Sequence, residues 1–219
     1  MRAVVKKFNR LMLLLMGLLI VQDSLAAKMI DDFIFDQEIE NGTDTTEIFT
    51  AGTELENLTR TLMANPSNDS GAKTGVIVDD FNGTLSIYNN SSLNGTASVI
   101  YNFKSINLSA DADALIFDLE FIDNNQHAIQ IIANNSSVYG LVAMNTLGAY
   151  TVLFSQFSEP SVFNALTSLQ INFQGGKAWD AVYNSISAAK VSNVPEPSVI
   201  ALLSIALVFM IRVPRKAHI

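Results

Sequence analysis

Ser168-Leu169-Gln170-Ile171-Asn172-Phe173 alternates polar and apolar residues without a break. A period of two sends Leu169, Ile171 and Phe173 to one face and Ser168, Gln170 and Asn172 to the other, the pattern of a half-buried β-strand. Further β-rich runs precede it at 30–35, 75–78, 84–88, 97–103, 114–121, 128–132, 140–144 and 150–154, and one follows at 181–186. Clusters of Asn, Asp, Gly and Ser separate them. Asn82-Gly83 stands between two runs, and both residues tolerate the positive φ of a type I′ hairpin. Asn94-Gly95 opens the next run in similar fashion. Residues 53–62 read two ways. Thr53 with Glu56 matches a helix capping box, and Leu55, Leu58 and Leu62 have helical spacing, yet 58–62 also alternates. The β-rich surroundings favour a strand there. About ten short strands with no βαβ rhythm specify an all-β antiparallel sandwich.

Both ends of the 219-residue chain depart from this pattern. Arg2, Lys6, Lys7 and Arg10 precede an apolar run at 11–21. At about 1.5 Å per residue such a run covers far less than a ~30 Å hydrocarbon core, so it reads as a secretory signal rather than an anchor. Ser24-Leu25-Ala26 supplies the small residues that signal peptidase needs, with cleavage after Ala26 and Ala27 the next candidate. Residues 1–26 are then a signal peptide, carried by the secretion translocon.

At the other end, Val194-Pro195-Glu196-Pro197-Ser198 runs directly into an apolar stretch at 199–211, followed by Arg212, Arg215 and Lys216. Two prolines deny the chain helical hydrogen bonds, so Pro195, Glu196 and Pro197 are presented as an extended segment. The apolar stretch enters the bilayer as a helix, and the basic tail at 212–219 stops it on the cytoplasmic side. Its length reaches only about 20 Å, a marginal span suited to a temporary hold. This three-part tail resembles the PEP-CTERM sorting signal of exosortase substrates, and the resemblance covers residues 194–219. It implies that the helix holds an exported chain in the inner membrane of a Gram-negative, polysaccharide-producing bacterium. Exosortase then cuts near 195–197, and the product reaches the cell surface or the extracellular matrix, where a biofilm forms.

Between the ends, residues 27–193 form the exterior domain. The ends take 7 of the 13 basic residues, and the domain keeps 19 of the 21 acidic ones, so its net charge is −13. Such a domain repels nucleic acid, whose binding rests on neutralised phosphates. Solubility accounts for the charge, and divalent cations are a further attraction. Cysteine is absent, which excludes disulfides, thiolate metal sites and a cysteine nucleophile. His127 and His218 are the two histidines; His127 follows Asp123-Asn124-Asn125-Gln126 and reads as a solvated loop residue. Asp118 and Glu120 share a strand face, as a glycosidase pair would, but solvent-facing charge is the stronger reading. Asp79-Asp80 reads as a turn. Catalytic material is therefore scarce, and the domain reads as non-catalytic.

Trp179 and Tyr183 lie four apart beside Gly175-Gly176 and line one strand face with Ala181. They are the candidate platform for stacking on sugar rings, against a stronger reading of Trp179 as core. The opening Ile30-Asp31-Asp32-Phe33 and the closing LTSLQINFQGGKAWDAVYNSIS (166–187) resemble jelly-roll domains of the galactose-binding-like or carbohydrate-module kind. That resemblance implies a jelly-roll sandwich and a structural calcium ion where the first and last strands meet. Asp31 or Asp32, with Asp180, are the matching acids, and hard oxygen ligands suit that ion. The expected function is a non-catalytic surface or matrix protein; the alternative is a carbohydrate-binding module for matrix polysaccharide.

Overall fold

The computed structural model describes residues 27–48, 54–66, 71–90, 94–123 and 127–191. The expected signal peptide up to Ala26, the sorting motif Pro195, Glu196 and Pro197, the membrane helix at 199–211 and the basic stop at Arg212, Arg215 and Lys216 lie outside them. Among the described residues no helix is long and apolar enough to cross a membrane.

Thirteen strands build the domain: β1 (Lys28–Asp31), β2 (Gln37–Glu40), β3 (Gly42–Glu47), β4 (Thr59–Asn65), β5 (Thr74–Asp79), β6 (Thr84–Asn89), β7 (Thr96–Ile106), β8 (Ala114–Ile122), β9 (Ala128–Ala133), β10 (Ser137–Ala143), β11 (Gly148–Leu153), β12 (Leu166–Gln174) and β13 (Ala181–Ala189). Sheet A runs β11-β8-β13-β6-β5-β2, and β1 pairs with β13 beyond the reach of β6. Sheet B runs β10-β9-β12-β7-β4-β3. Every neighbouring pair is antiparallel. From β6 onward the chain changes sheet at every connection but β9 to β10.

The alternation at 168–173 does what it promises. Leu169, Ile171 and Phe173 point inward from β12 and are fully buried, sharing one continuous core with Leu115, Phe117 and Leu119 of β8. A buried side chain of this size contributes roughly 1.5–3 kcal/mol. Of residues 58–62, Thr59 onward likewise belong to a strand, β4, with Leu62 buried; the capping-box residue Thr53 lies outside the described residues.

Three local expectations change. Residues 30–35 are not one strand: β1 ends at Asp31, and Phe33 takes a positive φ of 62° that turns its ring into the core. Asn82-Gly83 is not a two-residue hairpin. The link from β5 to β6 takes four residues, only Gly83 has positive φ (64°), and Asp79 Oδ1 accepts from the Phe81 and Asn82 amides at 3.0 and 3.4 Å. Finally, β2 and β3 were not foreseen. QEIE and GTDTTE are polar strands at sheet edges, and an edge facing water carries no apolar alternation to read.

Candidate functional site

The candidate sugar platform is core, the stronger of the two readings for Trp179. Trp179 and Tyr183 are both 0% exposed. Trp179 stacks on His127 at 4.9 Å between ring centroids and donates from Nε1 to the Gly95 carbonyl at 3.2 Å. A Cβ on Gly175 would stand 2.2 Å from Trp179 Cγ, so that glycine admits the indole rather than displaying it. His127, just ahead of β9, is not solvated either: it is buried, and its Nε2 meets the Tyr183 hydroxyl. Burial pushes it down to about 4, only partly opposed by the Gln174 backbone.

The calcium site expected at Asp31 or Asp32 with Asp180 does not assemble. Asp31 is buried against Arg60, with Oδ2 2.8 Å from Arg60 Nη1 and 3.0 Å from the donating Tyr101 hydroxyl. The guanidinium already supplies the positive charge. Asp32 and Asp180 stand at opposite ends of β6. The Asp32 carbonyl approaches Gly83, just before the strand, whereas Asp180 Oδ1 accepts from the Asn89 amide at its far end, at 3.1 Å. The strand's length, roughly 17 Å, separates them.

Asp180 instead neighbours Asp123, whose amide donates to the Asp180 carbonyl at 3.0 Å and whose Oδ1 is buried without a hydrogen-bond partner. Burial raises the Asp180 carboxyl from its ordinary value; the Asn89 amide opposes that, and the Asp123 charge adds to it. Asp36, Asp79 and Asp80 also bring carboxylate oxygens within 4.8 Å of one another. Two of the three act as turn caps. Asp36 Oδ1 accepts from the Asp80 amide at 2.8 Å, and Asp79 Oδ2 accepts from Asn82 Nδ2 at 2.6 Å.

A groove of about 400 Å³ opens instead on the outer face of sheet A, lined by Asn82, Thr84, Glu120, Phe121, Val182 and Asn184. It exists because the β8–β13 ladder slips twice. Val182 pairs with Phe121 but Tyr183 pairs with Leu119, leaving Glu120 unmatched; Ser185 then pairs with Asp118, leaving Asn184 unmatched. An unpaired residue on each strand bends the ladder locally and re-aims side chains. Phe121 thereby stands 47% exposed beside the exposed Glu120, and Asn184 Nδ2 reaches Asp118 Oδ2 at 3.2 Å. Phe81, 92% exposed, precedes Asn82 at the rim. Asp118 and Glu120, paired in the sequence reading, thus both border this site, Asp118 through Asn184. The ring and Val182 offer an apolar surface; two amides, a hydroxyl and a carboxylate offer directional hydrogen bonds. That mixture matches the two-sided chemistry of a pyranose.

No protein-family model matches the chain, and no curated protein matches it with significance. Solved structures similar to it include CtCBM11 in solution, with a TM-score of 0.43 and 11% identity over 79% of this chain and all of that one. The family 11 carbohydrate-binding module of the cellulosomal cellulase Lic26A-Cel5E of Clostridium thermocellum matches at 0.37 and 13% identity, covering 77% of this chain and 98% of its own. A family 11 module from Clostridium thermocellum in complex with a β-1,3-1,4-mixed-linked tetrasaccharide matches at 0.37 and 12%, covering 76% and 98%.

Proposed function

We propose that this is an exported, non-catalytic surface or matrix protein whose jelly-roll domain binds carbohydrate in the groove on sheet A. The repeated change of sheet from β6 to β13 supports the jelly-roll winding. The observation that carries the binding role is the double slip at Glu120 and Asn184, which sets a half-exposed phenyl ring among amides and a carboxylate. Phe121 stacks on the C–H face of a sugar ring, and Asn82, Asn184 and Glu120 take its hydroxyls. A glycan array of mono- and disaccharides probed with residues 27–193 is expected to give binding that Phe121→Ala abolishes. Binding that survives this change, or an empty array, refutes the groove.

The address rests on the tail. The exosortase reading predicts a mature protein beginning at Ala27 and ending near Pro195, and intact mass from the host measures both ends. A mature chain that keeps Arg215 refutes it. The calcium ion implied by the jelly-roll resemblance would be held by Asp180 together with Asp123. These are hard oxygen donors, and Asp123 Oδ1 is buried without a hydrogen-bond partner. Chelation is then expected to lower the thermal midpoint, and an unchanged midpoint removes the ion.

A further inference from the structure

The outer face of sheet B differs in kind from the rest of the exterior. Outward positions alternate with buried ones along β4, β7, β9 and β12. Register aligns them into rows across five strands. One row reads Thr43, Met63, Ser98, Asn172 and Gln130. The next reads Thr45, Thr61, Ile100, Gln170 and Ile132. Neither row contains a charged residue, in a domain of net charge −13. Lys104, tied to Glu56 at 2.6 Å, stands only at the end of β7. Sheet A, by contrast, turns Glu38, Glu40, Asp118 and Glu120 outward.

The polar groups of these rows are already oriented. Asn172 Oδ1 accepts from Ser98 Oγ at 2.8 Å and from Gln170 Nε2 at 2.7 Å, while Asn172 Nδ2 donates to Gln130 Oε1 at 3.1 Å. The Thr45 and Thr61 hydroxyls meet at 2.8 Å. Gln170 and Gln130 so fixed keep donor and acceptor capacity for solvent or ligand, and Asn172 keeps one N–H, at little further cost in rotamer entropy. Met63, Ile100 and Ile132 lie between them, half-buried, as apolar contact surface. Strands stand about 4.8 Å apart, so a row spans about 19 Å. That spacing is close to the length one pyranose ring adds to an extended chain.

We infer that the outer face of sheet B is a second binding surface, for an extended, uncharged polysaccharide lying across β3, β4, β7, β12 and β9. Charge selects the occupant. An anionic polymer is repelled by the domain as a whole, a cationic one is drawn to sheet A, and a neutral one meets no penalty on sheet B. Oriented amides and hydroxyls then set hydrogen bonds against the sugar hydroxyls, and the aliphatic side chains meet the C–H faces. This surface is independent of the groove at Phe121.

Affinity electrophoresis through gels containing hydroxyethyl-cellulose or polygalacturonate tests it. The wild-type domain is expected to be retarded by the neutral polymer and not by the anionic one. Asn172→Asp and Thr61→Glu each place a carboxylate on the face and should weaken retardation by about tenfold or more. In the Phe121→Ala background, where the groove is silenced, retardation by the neutral polymer should persist, and adding Thr61→Glu should remove it. Circular dichroism and the thermal midpoint check folding, and Thr61→Glu, at a surface position, serves if Asn172→Asp does not fold. Retardation abolished by Phe121→Ala but kept in both carboxylate variants assigns all binding to the groove and overturns the inference. So does absence of retardation, or concentration-dependent self-association that Thr61→Glu abolishes, which would make the face an interface between copies.

Discussion

Two polar clusters lie inside the sandwich, and they solve the same problem in opposite ways. Around β1 and β4, Asp31 and Arg60 form an ion pair in the core. The guanidinium meets Asp31 at 2.8 Å, Gln37 Oε1 at 2.9 Å and the Phe35 carbonyl, and Tyr101 donates to the carboxylate. Around β12 and β13, His127 discards its charge, stacks between Trp179 and Phe173, and bonds to Tyr183. A charge survives burial only when every lone pair and proton is matched; a group with one polar neighbour among rings stays neutral. Both clusters contain residues that sequence reasoning had assigned to ligands, namely Asp31, Trp179 and Tyr183.

The contrast is broken most violently by removing one charge of the pair. Arg60→Met strands the Asp31 carboxyl in the core without its partner and is expected to cost about 3–5 kcal/mol in denaturant unfolding. Adding Asp31→Asn should recover part of that loss, since the two changes share one interaction. A cost under about 1 kcal/mol would mean the pair is solvated in solution.

Acid tests the other cluster. With His127 held at about 4 in the fold against an ordinary 6.5, its neutral form contributes stability that is fully present above pH 6.5. Stability is lost as pH falls from 6.5 to 4, because the unfolded chain takes a proton the fold refuses. Below that window both states are protonated and the loss stops. At about 1.4 kcal/mol per pH unit, the total comes to about 3 kcal/mol. His127→Phe should remove this component, read as the difference between the two pH–stability curves. Identical curves would show that the imidazole titrates normally. Gly175→Ala sharpens the same region with a smaller effect. The new methyl meets the Trp179 ring and should cost about 1–3 kcal/mol by overpacking.

What could be read from sequence follows the same division. Alternation exposes any strand with one face in the core, so 168–173 and most of 58–62 were legible, and Asp80 was rightly placed in a turn, which Asp79 caps from the end of β5. Edge strands such as Gln37–Glu40 carry no such period. The fate of Trp179 depends on a close approach to Gly175 and on His127 arriving from another strand, neither of which leaves a local pattern. His127 misled because its polar predecessors suggest solvent, whereas its own ring is buried. The groove was half legible: Asp118 and Glu120 were noticed as a pair, but the slip that aims Phe121 outward is a property of register. The neutral face of sheet B needed register even more, since its rows unite residues from five separate strands.

The smallest effect on stability should accompany the largest effect on function. Phe121 belongs to neither buried cluster and stands 47% exposed, so Phe121→Ala removes little core contact and should change stability by less than about 0.5 kcal/mol. The same change strips the groove of its only ring, leaving amides and a carboxylate with nothing to fix the plane of a sugar. Glycan binding should therefore fall while the thermal midpoint stays. A falling midpoint with intact binding would place Phe121 with the core residues after all. It would also return the functional question to the uncharged face on the other side of the sandwich.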